Sequence, residues 1–213
     1  MVIIVQPPRS VAEESEQQVA CEVSHVNAAW GFQHSGVYID PTGTIGEFNY
    51  SAGDSRSVPN RGQEMTQGEL REKYQPGRRV IGQVCPAQMT WLRDQLNTVK
   101  YSPSSTPTHG SFDAGVQFTQ CWVFGSDSTP GQHILLRETG DFESQNLADA
   151  APALANWIEA VARDARNDAH IPARLKGCIA YPESLHQQYD QTVHQSDQDR
   201  DRAGQPFQGG HVE

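Results

Sequence analysis

Residues 30–50, WGFQHSGVYIDPTGTIGEFNY, decide the class of fold. They read as two short strands closed by Asp40-Pro41-Thr42-Gly43. Proline suits the second position of a type I turn because its ring presets φ, and glycine suits the fourth. Aromatic and β-branched residues flank the turn on both sides, as a half-buried antiparallel pair requires. Val37 and Ile39 line one side of the first strand, while Phe48 and Tyr50 alternate with Glu47 and Asn49 along the second.

Upstream of this hairpin, Val19, Cys21 and Val23 alternate with Ala20, Glu22 and Ser24, the period of two that marks a strand. Residues 1–17, with Pro7-Pro8 and a Glu/Gln-rich run, read as a flexible lead-in. Downstream, residues 51–63 hold almost nothing that can be buried and read as an exposed loop. Thr66-Gln67-Gly68-Glu69 matches a capping box, and Pro76-Gly77 ends the short helix it opens. A second helix begins at Cys85-Pro86, since proline is tolerated at the first helical position. Its Met89, Leu92, Leu96 and Val99 recur at spacings of three and four, one buried face with Trp91 beside it.

The Ser/Thr/Pro-rich residues 101–110 read as a surface loop. Residues 116–124 form the strongest strand, with Val116, Phe118, Trp122 and Phe124 on one face and Cys121 and Val123 on the other. A turn over 125–131 leads to a partner strand at 133–137, a second hairpin. Leu154, Trp157, Ile158 and Val161 then mark an amphipathic helix over roughly 149–167, with Asp149 as N-cap. A short strand is expected at 178–181, and the polar residues 183–213 are expected to be disordered. The fold expected is therefore α+β: one domain over 18–182, a mainly antiparallel sheet of two hairpins plus a leading strand. One face of that sheet packs on two or three helices.

Charge distribution supports these boundaries. Residues 1–20 carry one Arg against three Glu, and residues 183–213 carry two Arg against six acids. The middle of the chain holds 13 basic and 17 acidic residues, so most of the net charge of −10 sits on the two ends. Nucleic-acid binding needs clustered Lys and Arg to displace counterions, and the acidic net charge argues against it. No segment approaches the roughly 18 apolar residues of a membrane span. Gln18-Val19-Ala20-Cys21 resembles a lipoprotein cleavage site, but the run before it is acidic where an apolar one belongs. A cytoplasmic protein is the expectation, with export as the alternative if the true start lies upstream.

The four cysteines, Cys21, Cys85, Cys121 and Cys178, are scattered singly, with no zinc-binding spacing. Buried free thiols are expected in a reducing compartment, and two disulfides in an oxidising one. Cys85 draws attention because unpaired amides at a helix start lower a thiol pKa. As a nucleophile it would need a base, for which His109 is the candidate, with Asp113 or Asp127 to orient it. A capping or buried cysteine is the simpler account. His25, His34, His109 and His133 fit no metal motif, and no phosphate-cradling loop or GxSxG occurs, so neither metal nor cofactor is expected. The basic cluster Arg71, Lys73, Arg78 and Arg79 reads as a solvated face, with an anion site as the alternative. Trp30, Phe32 and Tyr38, with Phe48 and Tyr50, form an aromatic group that is either core or an exposed platform for a partner.

The function expected is a non-catalytic binding or protein-interaction module with a possible protein partner. A cysteine-dependent hydrolase or transferase using Cys85 and His109, and an exported disulfide-stabilised accessory protein, are the alternatives. Nothing in the sequence sets the oligomeric state.

Overall fold

The computed structural model describes residues 17–29, 31–50 and 63–167. Trp30, the strand expected at 178–181, the tail after 182 and nearly all of the lead-in lie outside them. The first hairpin forms as its residues dictate, β2 at Gln33–Ile39 and β3 at Thr44–Tyr50. Gly43 N donates to Asp40 O at 2.8 Å, and Asp40 Oδ1 accepts from the amides of Thr42 and Thr44 and from the Thr42 hydroxyl. Gly43 sits at φ +81°, a conformation that costs glycine little.

Strand β1 (Gln18–Asn27) pairs with β2 on one side and with β6 (Val116–Phe124) on the other, both antiparallel. The sheet continues outward from β3 to β4 (Arg79–Gln83). On the other side β6 pairs with β7 (Gln132–Gly140), then come β8 (Phe142–Gln145) and β5 (Thr108–His109). The result is an open antiparallel sheet of eight strands in the order β4-β3-β2-β1-β6-β7-β8-β5. With the three helices of the described residues it makes a single α+β domain. The strands β4, β5 and β8 are additions to the elements read from the sequence.

Helix α1 (Gln67–Lys73) opens on the expected capping box: Glu69 N donates to Thr66 Oγ1, and Thr66 N donates to Glu69 Oε2 at 2.7 Å. Helix α2 (Pro86–Val99) carries Pro86 at its start and buries the predicted Met89, Leu92, Leu96 and Val99. Helix α3 (Ala151–Asn167) begins two residues later than expected, with Ala151 N on Ala148 O, and buries Leu154, Trp157, Ile158 and Val161. No helix among the described residues is long and apolar enough to cross a membrane.

Both sheet faces are covered, where helices on one face were expected. Val19, Cys21, Val37, Ile39, Ile45, Cys121 and Val123 point to α2 and α3 and form the larger core. Alternate positions point the other way. Ala20, Tyr38, Phe48, Tyr50, Trp122 and Phe124 pack with Met65, Leu70 and Tyr74, under α1 alone. A seven-residue helix covers less sheet than two long ones, so this second face keeps a cleft.

Candidate functional site

The cleft lies between α1 and the β1–β2 part of the sheet and encloses about 340 Å³. Local rules place its walls. Residues four apart share a helix face, so Leu70 and Tyr74 both reach the sheet from α1. On β1 and β2 the period of two brings Ala20 and Tyr38 to the same side. The rings of Tyr38 and Tyr74 stack in parallel with centroids 4.1 Å apart. Gly46 stands opposite Tyr38 in the β2–β3 register, and a Cβ there would fall on the Tyr38 ring, so only glycine leaves the ring its place. Arg71, Arg78, Asp40 and Asp127 also line the cleft.

Beneath it is a buried polar network. Glu22 is fully buried, and its carboxylate accepts five hydrogen bonds: two from Lys73 Nζ at 2.7 Å, and one each from Gln120 Nε2, Ser24 Oγ and Tyr74 Oη. Since Gln120 Nε2 donates to Glu22, its Oε1 accepts from His133 at 2.7 Å, which places the imidazole proton on Nε2. Burial alone would raise the Glu22 carboxyl, but the Lys73 charge and the hydrogen bonds from Lys73 and Gln120 outweigh it and hold the group at about 2. Burial, reinforced by Lys73, lowers both His34 and His133 to about 4, so both are neutral at pH 7. Burial and the Glu22 charge push the Tyr74 phenol well above 10. Glu22 and Lys73 are thus spent on each other and closed to solvent. They support α1 and aim Tyr74.

One donor on the cleft wall is left over. Tyr38 is 2% exposed and its hydroxyl donates to no acceptor among the described residues. Burial raises its pKa, with the positive charge of Arg78 and a hydrogen bond from that guanidinium acting against the shift.

The structure separates the proposed catalytic residues. Cys85 caps α2 just beyond β4, and His109 lies in β5, at the other edge of the sheet. Cys85 is disulfide-bonded and so carries no thiolate. The free-thiol expectation is corrected for Cys21 and Cys121 as well. They face each other across β1 and β6 with Cα atoms 4.0 Å apart and form a disulfide. His109 contacts the rings of Phe112 and Phe142, while Asp113, at φ 57°, accepts at its carbonyl from Asn27. Among the aromatic candidates, Tyr38 is buried in the cleft wall and Phe32 is half-buried with its edge to Tyr50. Among the described residues the rings most exposed to solvent are elsewhere, with Phe112 84% and Tyr101 81% exposed.

The basic cluster divides in space. Lys73 turns inward to Glu22, Arg79 pairs with Glu47 at 2.8 Å, and Arg71 and Arg78 stay on the cleft. Sequence reasoning missed Glu22 because alternation along β1 marks it as the polar side of a strand, the side normally left to water. Its one legible signal was Lys73, three positions after Leu70 and so near the helix face turned to the sheet, on a helix whose cap was already evident. Comparison with protein-family models, with curated proteins and with solved structures finds no match for this chain.

Proposed function

We propose that the protein is a non-catalytic binding module whose ligand seat is the cleft between α1 and β1–β2, and that it works in an oxidising compartment. The observation that carries the first part is a 340 Å³ cleft whose wall contains a buried hydroxyl, Tyr38, that finds no acceptor among the described residues. Buried polar groups are normally satisfied, and one left over in a cleft is a place for a ligand atom. The non-catalytic reading follows from the saturation of Glu22 and Lys73, the strongest acid–base pair nearby. The oxidising compartment follows from chemistry: no described cysteine is free, and disulfides persist where thiols are not kept reduced.

The test is an amide NMR titration of the intact, oxidised chain with a fragment library. Resonances of Ala20, Leu70 and Tyr74 are expected to move, and those of Ala20 and Tyr74 to stay still in Leu70→Trp, where an indole fills the cleft. Shifts confined to Phe112 and Phe142 would instead assign the exposed aromatic edge, a surface for a protein partner, as the working one.

A further inference from the structure

We infer that the cleft takes a small organic anion, a carboxylate or phosphate ester on a compact apolar body, held by Arg71, Arg78 and the Tyr38 hydroxyl. The inference rests on the cleft being the ligand seat and adds the chemistry of what sits there.

Three observations converge. First, the division of the basic cluster leaves Arg71 and Arg78 as the two cations on the lining, neither with a carboxylate partner among the described residues. Arg71 Nε donates to Gln67 O, which ties the base of its guanidinium and leaves its terminal nitrogens for an anion. Guanidinium nitrogens match carboxylate and phosphate oxygens in a planar, two-point contact. Second, the Tyr38 hydroxyl is a buried donor that lacks an acceptor, and an anionic oxygen is the strongest acceptor a small ligand offers.

Third, each acid on the lining has one oxygen held by local donors. Asp40 Oδ1 accepts the three donors of its own turn, at 2.6–3.0 Å. Asp127 Oδ1 accepts from Gln67 Nε2 at 3.1 Å. The two guanidinium groups and the Tyr38 hydroxyl are the charged or buried donors on the lining that no carboxylate among the described residues takes up. The apolar share of the wall comes from Ala20, Leu70, Pro41 and the edges of the stacked tyrosines. At 340 Å³ the space is at the small end of the roughly 300–1,000 Å³ of ligand pockets, which suits a compact metabolite over a polymer.

The experiment compares benzoate, phenyl phosphate, benzamide and benzylamine on the intact oxidised chain, by calorimetry and by the shifts of Ala20, Leu70 and Tyr74. One of the two anions is expected to bind about tenfold or more tighter than benzamide, the factor that one charge-assisted contact supplies. Whichever anion binds better separates a carboxylate from a phosphate ligand. Arg71→Ala and Arg78→Ala, both at exposed positions, should each weaken that anion about tenfold with an unchanged thermal midpoint, and Tyr38→Phe several-fold. If benzamide or benzylamine moves the cleft resonances as strongly as the anions do, or if the arginine variants leave anion affinity unchanged, the anion assignment is wrong while the cleft remains a binding site. If no probe and no library fragment moves those resonances, the cleft itself is not a ligand seat.

Discussion

Replacing the Glu22 carboxylate by an amide leaves the Lys73 ammonium, 4% exposed, without its counter-charge. Breaking a buried pair from one side costs roughly 3–5 kcal/mol, whereas replacing both partners with apolar residues is often neutral. Glu22→Gln should therefore destabilise the fold by about that amount, and Glu22→Gln with Lys73→Met should recover most of it. Urea unfolding at pH 7 reads both, and a single variant within about 1 kcal/mol of the parent would show that the pair carries no weight. Three groups of this network also set the response to acid. His34 and His133 fall from 6.5 to about 4 on folding, so between those values the unfolded chain binds more protons and stability drops as pH falls. Glu22 falls from 4.5 to about 2, so its contribution is complete above 4.5 and is lost as pH falls toward 2. All three act in the same direction. The urea midpoint should be level near neutrality, decline from about pH 6.5 to 4 and decline further below, and His133→Gln should make the first decline shallower. A midpoint unchanged between pH 7 and 4 would contradict this.

At the scale of elements, α1 is the weak part. Seven residues are too few for a helix to persist alone, so α1 depends on its capping box and on Leu70 and Tyr74 against the sheet. Thr66→Ala should cost about 1 kcal/mol, with amide exchange accelerating first over residues 67–74 and much later in α2 and α3. Uniform acceleration across the domain would mean that α1 does not open as a unit. Elements were legible in the sequence where their signals are local. The Asp40–Gly43 turn, the Thr66/Glu69 box and the Met89–Val99 stripe are each specified within a few residues. The strands β4, β5 and β8 were not legible. In Arg79–Gln83 only Val80 and Ile81 are large and apolar, in Phe142–Gln145 only Phe142, and Thr108–His109 is two residues long. Such segments become strands because a formed edge offers them unpaired amides and carbonyls, which a residue pattern does not encode.

For the whole molecule the decisive connection is β1 between β2 and β6. The Cys21–Cys121 bridge closes a separation of 100 residues across the middle of the sheet. Restricting an unfolded loop of that length corresponds to about 4.7 kcal/mol in the chain-entropy picture, and measured values run from near zero to about 5. Cys21→Ala with Cys121→Ala should lower the stability by about 4 kcal/mol while the sheet survives, as urea unfolding and far-ultraviolet circular dichroism would show. Both sulfurs belong to residues with no solvent exposure, so a reductant should act on the parent only at the rate of unfolding. Fast reduction of the native protein would place the bridge outside the core.

By itself the sequence determined the α+β class, the first hairpin, the two capped or proline-started helices and the face each helix buries. All of these depend on residues within one or two turns of one another. Only the tertiary structure decided that Glu22 meets Lys73 and Gln120, that Cys21 meets Cys121, that Arg71 and Arg78 share a cleft and that Cys85 and His109 do not meet. Those relations join residues up to 100 positions apart, and their partners are chosen by the order of strands in the sheet. Strand order is the outcome of packing both faces at once, and no local pattern of side chains specifies it.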